Sequence, residues 1–513
     1  MLKKEDSLKK RYFYKLITNF GGMLMGLITA GITPRALGPV SYGNYSYLTN
    51  FFNQVVSFLE MGTSIGFYSK LSKRQKESGL VTFYIYFSTI ISILIILFVF
   101  IAYKTRVHNL FWPNQNMIFV ILAAVFGLLT WFTQILNKIT DAYGLTVHAE
   151  VIKLIQRALS VMILLFLYFW GMLNLRNYFY FQIFISLLLI IALWLLSKQK
   201  HSTINWKLNF AQVVNYIKEF YEYSHPLFVY ALIGLIVGIV DRWMLQYFSG
   251  SEQQGFYGLS YTIGSFCFLF TSAMQPLLMR EFSISHGNND ILKMRILFRK
   301  YIPLLYSIAA YFSCFIAIQA KNVIYIFGGN KYASAVLPVA IMAFYPIHQT
   351  YGQLSGSVFY ATEQTRIYRN IGTFTMVIGL IVSYFLLAPK NMFGLEAGAF
   401  GLALKMVIVQ FIGVNIQLFF NAKYLNISFS KYFFHQILSL VLLSSISFFS
   451  YFLIEFTKLN FFNVLIKFIL SGMIYTGIVI TFVFFLPEVF GLNRADVGYI
   501  FDLVIKRKKG ENN

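Results

Sequence analysis

The sequence predicts an all-α polytopic membrane protein. Three observations carry that expectation: 58% of the residues are hydrophobic and only 12% charged, the mean hydropathy is +0.65, and long apolar runs recur along nearly the whole chain. A soluble domain carries roughly 25% charged residues. A helix of 18 or more apolar residues crosses about 30 Å of hydrocarbon while satisfying its own backbone polar groups.

About fourteen such spans follow one another, near residues 16–33, 43–68, 81–103, 117–137, 151–170, 177–197, 224–248, 256–280, 301–319, 334–357, 369–388, 395–419, 432–455 and 463–486. The first follows "MLKKEDSLKKRYFYK". It is long and lacks a small-residue cleavage site, so it reads as a helix rather than a removed signal peptide. Positive loops stay on the cytoplasmic side. With the N-terminus inside, the inner connections include "SKLSKRQKE", "SKQKHSTINWK" and "REFSISHGNNDILKMRILFRK". Roughly 31 basic residues then fall inside and about 9 outside, which also places the "IKRKKGENN" tail in the cytoplasm of a cell membrane. The net charge of +23 thus sits beside anionic lipid headgroups, and nucleic acid is not an expected partner. Cys267 and Cys314 fall inside spans, where a thiol acts as a small apolar group.

Six spans, a basic linker, six more spans and a final pair give an expected organisation of 1–200, 201–223, 224–423, 424–487 and a tail at 488–513. Weak internal matches agree with two parallel six-helix repeats. Tyr42-Gly43 recurs as Tyr257-Gly258, 215 residues on; Phe111 matches Phe327 at 216, and Tyr143 matches Tyr360 at 217. On this plan "PRALGPVSYGNYSY" (34–47) is the outer turn between the first two helices, and "DRWMLQYFSGSEQQGFYGLSY" is its counterpart. Proline is expected to end the first helix and glycine to reverse the chain. The turn suits either a hinge between rocking bundles or an interfacial loop anchored by tyrosines.

The stretch "ITNFGGMLMGLITAGITPRALGPVSYGNYSYL", with "FLEMGTSIGFYSKLS" at the end of the second helix, resembles the N-terminal signature of the polysaccharide-unit (Wzx-like) flippases of the MATE-like exporter superfamily. The pattern is complete at Pro34, Arg35, Leu37, Gly38, Pro39, Tyr42 and Gly43, while Glu60-Met61-Gly62 stands where many members have Asp-Leu-Gly. The resemblance implies export of a polyprenyl-pyrophosphate-linked oligosaccharide from the inner to the outer leaflet, through a V-shaped cavity open to one side at a time. It implies membrane lipids and other polysaccharide-assembly proteins as partners, and basic cavity residues that hold the anionic headgroup.

Ionisable residues at membrane depth cost about 2.5 to 3.5 kcal/mol each on insertion scales, so each needs an explanation. In the second span Asn50, Asn53, Gln54, Ser57, Glu60 and Ser64 share one helical face. Glu60, roughly 13 Å deep at 1.5 Å per residue, reads as a cavity carboxylate coupled to a proton or cation, or as an acid buried against a basic neighbour. Lys153, Gln156, Arg157 and Ser160 form a stripe in the fifth span, as do Arg366, Arg369, Asn370 and Thr373 in the eleventh. Arg157 is the deepest of these cations, while the others reach the headgroups by snorkelling. Lys405 lies mid-span after Gly394, Gly398 and Gly401, and Asp241-Arg242 lies roughly 10 Å below the outer end of the seventh helix. The resemblance carries the headgroup-holding role to Arg157, Arg242 and Lys405, with Glu60, Asp241, Asn53 and Gln54 also expected to line the path. Arg35, Gly38 and Gly43 are the candidates for an exit or hinge.

Two charges crossing outward gain roughly 5 kcal/mol per 100 mV, so nucleotide is not required. No GxxxxGK[ST] loop or HExxH spacing occurs, and neither an enzyme nor a cofactor or metal is expected. A cation or drug exporter of the same superfamily is the first alternative. A membrane-embedded glycan polymerase would need an acid or base on a sizeable outer loop, and the outer connections here are short.

Overall fold

The computed structural model describes residues 8–60, 63–75, 77–198, 208–457 and 463–494. Apolar sequence with internally satisfied backbone produces helix throughout, and no strand occurs among these residues. In chain order the helices are α1 (Leu8–Glu60), α2 (Thr63–Lys73), α3 (Ser78–Lys104), α4 (His108–Phe111), α5 (Met117–Ala142), α6 (Thr146–Phe169), α7 (Leu175–Lys198), α8 (Phe210–Ser265) and α9 (Leu269–Gly287). They continue with α10 (Ile291–Ile318), α11 (Ala320–Phe327), α12 (Val336–Met342), α13 (Tyr345–Ala361), α14 (Thr365–Leu387), α15 (Gly398–Leu425), α16 (Phe429–Phe456) and α17 (Val464–Phe485). Eleven helices among the described residues are long and apolar enough to cross a membrane. The protein is a multi-pass, all-helical membrane protein.

Two of those eleven, Ile17–Leu59 and Phe228–Phe268, run 43 and 41 residues, about twice the length one crossing needs. Each contains one residue outside helical geometry: Gly38 (φ 73, ψ 171) and Gly250 (φ 79, ψ −176). Only glycine takes this backbone region without steric cost. The first two expected spans are therefore one helical run broken at a single residue. The first helix does not end at Pro34 as expected. Pro34 lies within the helix and the break falls at Gly38, so that Pro39 starts the next half, where its missing N–H is not needed.

The repeat is real in backbone conformation, but its register differs from the side-chain matches. The breaks at Gly38 and Gly250 stand 212 residues apart, not 215. Downstream, α3 and α10 start 213 residues apart, whereas α5 and α12, and then α6 and α14, start 219 apart. The offset grows by one residue because α10 is longer than α3, and by five more because Gln319–Ala335 is longer than Thr105–Asn116 and holds α11 and a 3-10 turn, Asn330–Ala335. Tyr and Phe are frequent enough here to match out of register; backbone breaks are not. Other spans also differ in detail. The stretch expected at 334–357 is broken between α12 and α13, and that at 256–280 is interrupted by a 3-10 turn, Phe266–Phe268. Residues 210–223 form the first turns of α8.

The chain divides into two compact units, Met1–Gly258 with Leu387–Pro389, and Leu259–Leu386 with Lys390–Asn513. In the first unit α1 packs on α5 and α6, and α5 on α7. One apolar core there gathers Trp112, Phe51, Phe52 and Phe179, and a second gathers Phe67, Tyr84, Trp131 and Leu193. In the second unit α13 packs on α9, α10 and α15, and α16 on α10 and α17. Its core includes Phe298, Tyr306, Tyr351, Tyr432 and Tyr475.

Candidate functional site

In the first unit the two glycine breaks bring the start of the second half of α1 against the same part of α8. A Cβ on Gly43 would lie 1.8 Å from the Ser251 carbonyl oxygen, and one on Gly255 would lie 2.1 Å from the Pro39 carbonyl oxygen. The contacts are reciprocal at the 212-residue offset, since 43 pairs with 255 and 39 with 251. Only hydrogen in place of a side chain permits this approach.

Directly below lies Arg242, eight residues from the Gly250 break and so about 12 Å along the helix. It is 8% exposed. Its Nη1 donates to Gln254 Oε1 at 2.8 Å and its Nη2 to Ser46 Oγ at 2.7 Å. The guanidinium lies 4.5 Å over the Tyr257 ring, a geometry that favours a cation electrostatically. The polar layer continues outward: Gln246 donates to Ser251 Oγ at 3.0 Å and to the Pro113 carbonyl at 3.2 Å, and Gln115 donates to Asn44 Oδ1 at 2.9 Å. Gln246 and Gln254 are fully buried. Composition alone did not reveal Ser46, Gln246 or Gln254. The available signal was their helical spacing relative to Arg242 once the turn is folded back. Asp241 is buried at 7% exposure, and Arg35 is exposed.

The stripe on the second half of α1 is divided between two environments. Asn50 Nδ2 donates to the Gly238 carbonyl at 3.2 Å, and the Gln54 amide packs on Gly238, so both clasp α8. Asn53 and Ser57 are exposed. Glu60 closes α1, and its side chain lies outside the described ones.

Arg157 occupies a different level. Its Nη1 donates to the Thr18 carbonyl at 2.8 Å, and the same end of the guanidinium fills the space a Cβ on Gly22 would take on the first half of α1. Thr18 stands 20 residues before Gly38, roughly 30 Å along the helix. Arg157 and Arg242 therefore sit at different levels of the first unit, roughly 18 Å apart along the helix direction, each with its own partners. Nearby, Glu150 binds Lys153 at 2.5 Å, so Lys153 is paired within α6.

The end of the first unit far from Gly38 carries a charged cluster. Lys70 meets Glu219 at 2.5 Å, Arg74 meets Glu219 at 3.4 Å and Glu77 at 3.6 Å, and Tyr216 donates to Glu77 at 2.5 Å. The hydrogen bond from Lys70 holds the Glu219 carboxyl below its ordinary range, and the bond to Glu219 raises the Arg74 guanidinium. Together they fasten α2 to the first turns of α8.

In the second unit Lys405 is 4% exposed. Glycines let α14 and α15 approach closely: Gly401 meets the Leu386 carbonyl, Gly413 meets Thr375, and the Lys405 stem lies against Gly379 between them. The Lys405 side chain is thus enclosed within the α14–α15 pair, at the eighth residue of α15. Among the described residues no three His, Cys, Asp or Glu side chains gather as metal ligands.

The fold resembles solved membrane transporters. It superposes on the lipid II flippase MurJ in an inward closed conformation with TM-score 0.64 and 14% identity, covering 93% of this chain and 99% of that one. An inward-facing multidrug resistance MATE family transporter of the MOP superfamily gives 0.62 at 13% identity, over 80% and 98% of the two chains. An outward-facing one gives 0.54 at 14%, over 83% and 97%. No curated protein matches in sequence. The family described as polysaccharide biosynthesis protein matches residues 8–278, a stretch that contains α1, the breaks at Gly38 and Gly250, Arg157 and the Arg242 cluster. With more than half of the chain covered, the protein belongs to the polysaccharide biosynthesis protein family.

Proposed function

We propose that the protein is a flippase moving polyprenyl-pyrophosphate-linked oligosaccharide repeat units from the inner to the outer leaflet by alternating access, for cell-surface polysaccharide assembly. The observation that carries this reading is the burial of a cation within the spans of each unit, Arg242 at 8% and Lys405 at 4% exposure. A pyrophosphate unpaired in hydrocarbon would cost tens of kcal/mol by Born estimates, and fixed cations lower that barrier. Arg157, at a level roughly 18 Å from that of Arg242, gives the headgroup a first cation at another depth. Asn53, Gln54, Glu60 and Asp241 supply polar contacts along the path, and Arg35, Gly38 and Gly43 form the exit. The chain lies in the cell membrane with both ends in the cytoplasm. The membrane potential, or a proton or cation exchanged at Glu60, drives the cycle without a cofactor. Other polysaccharide-assembly proteins receive the product.

The test is the leaflet distribution of labelled lipid-linked oligosaccharide in cells lacking the protein. Accumulation in the inner leaflet, reversed by the wild-type chain, is the expected result; an unchanged distribution refutes the reading. The buried Asp241 favours a second reading, export of a cation by the same fold. Efflux of a cationic dye by reconstituted protein that leaves lipid-linked sugar untouched would establish it.

A further inference from the structure

The core of the second unit contains polar groups that the transport reading leaves unused. His348 and Tyr351 project from α13, Tyr306 from α10, and His435 and Gln436 from α16. The Tyr306 ring is the hub: its centroid lies 6.4 Å from that of His348, 6.0 Å from His435 and 5.6 Å from Tyr351. Tyr306 donates to the Gln436 carbonyl at 3.3 Å, and Gln436 Nε2 donates to Asn415 Oδ1 on α15 at 3.0 Å. Yet His348 Nδ1, Tyr351 Oη, His435 Nδ1 and Gln436 Oε1 are all shielded from outside solvent and receive no partner from the protein. His348 is 3% exposed, and Tyr351 and Gln436 are fully buried.

Buried polar atoms in folded proteins are paired with protein or with ordered water. The four orphan atoms belong to residues that each contact Tyr306, and a polar site with several partners is where internal water binds. The donor set also limits what else could bind. Two imidazoles, a phenol and an amide oxygen bring no negative charge to a metal cation, which would be left uncompensated in a low-dielectric interior. Neutral imidazole, by contrast, accepts a proton on its free ring nitrogen.

We infer that this cluster is a buried, hydrated proton-binding site. Water bridges the four orphan atoms, and an arriving proton adds to the Nδ1 lone pair of His348 or His435, the hydrogen on the other ring nitrogen being retained. The groups that act on it from the surrounding helices are Tyr306, Cys314 and Arg299 on α10, His348 and Tyr351 on α13, and Tyr432, His435, Lys431 and Ser439 on α16; the Ser439 hydroxyl lies 3.5 Å from His435 Nε2, the Val489 carbonyl also bonds the His435 ring, and α15 presents the neutral Asn415 and Phe411. The two cations lie at the rim, toward Tyr432 and His435. They set the threshold for protonation, whereas His348 occupies the sheltered side.

Two measurements on the full chain in lipid nanodiscs test this without any transport substrate, so they are independent of the flippase reading. The first is X-ray hydroxyl-radical footprinting, which labels side chains beside bound water. Tyr351 and Tyr306 are expected to label several-fold faster than Tyr475, which is equally buried but hydrogen-bonded to the Tyr311 carbonyl at 2.9 Å. Equal labelling at all three overturns the hydrated site. The second is 15N spectroscopy of histidine-labelled protein, with the His348 signal identified by its loss in His348→Gln and that of His435 by its loss in His435→Gln. One of the two is expected to pass from neutral to cationic between about pH 8 and pH 4. Both remaining neutral throughout overturns proton binding even if the water is present. Should either variant fail to fold, selective 15N labelling of one histidine ring nitrogen, with assignment through contacts to the neighbouring Tyr306, gives the same reading on the wild-type chain.

Discussion

Gly43 and Ser251 touch through backbone alone: the space a Cβ on Gly43 would fill lies 1.8 Å from the Ser251 carbonyl oxygen, and Gly255 makes the mirror contact with Pro39 at 2.1 Å. The two helical breaks are thereby locked to each other, and the Arg242 cluster hangs beneath the lock.

Gly43→Ala must therefore push α1 and α8 apart. Overpacking of this kind typically costs about 1–3 kcal/mol. A lowered thermal unfolding temperature in detergent is expected, with transport reduced. Gly31→Ala, where an added Cβ meets nothing within 4 Å, should leave both unchanged.

Arg242→Lys is expected to fail as a conservative replacement. An ammonium cannot reach Ser46 and Gln254 in the planar fork that the guanidinium uses, and a buried Gln254 Oε1 left without its donor costs about 1–3 kcal/mol. Loss of export in both Arg242→Lys and Arg242→Ala, with Gln254→Ala partly relieving the stability loss of the latter, is the outcome to look for in a mutant cycle.

Lys405→Ala and Arg157→Ala test the proposed anion path directly. Export of the glycan lipid should fall at least tenfold, the equivalent of about 1.4 kcal/mol, while membrane abundance is maintained. Unchanged transport in both variants would remove the cationic path from the mechanism.

The Lys70–Glu219–Arg74 cluster sets an acid limit on the fastening of α2 to α8. The Glu219 carboxyl titrates below its ordinary value of 4.5, so its contribution is complete above about pH 4.5 and is lost as the pH falls through its lowered value. The partners are partly solvent-exposed, so the effect is worth at most about 1 kcal/mol. Glu219→Gln should lower the unfolding temperature slightly near neutrality, and the difference from wild type should vanish in strong acid.

Much of this architecture was legible in the chain itself. Runs such as 81–103 and 177–197 correspond to α3 and α7 because an apolar segment of that length has one favourable conformation in hydrocarbon. The signature around Gly38 and Pro39 marked the break, since glycine opens the left-handed region of the backbone and proline fixes φ for the start of the next helix. What escaped was relational. Ser46, Gln246 and Gln254 are ordinary polar residues until α1 and α8 fold back and bring them to Arg242. The Tyr-Gly match pointed to an offset of 215 because identical side chains were aligned, whereas the fold repeats its breaks at 212. His348 has no other histidine near it along the chain, and it is the packing of α10, α13 and α16 that gives it company.

The paired glycine contact has one further consequence. Each glycine presses on a carbonyl at the head of the other's helix, so both contacts resist the same separation of the same two rods. Once either is sprung, little remains for the second to oppose. Gly43→Ala and Gly255→Ala should accordingly be strongly sub-additive: the double variant should be scarcely less stable than the worse single one, the mark of a fastening with two teeth and a single travel.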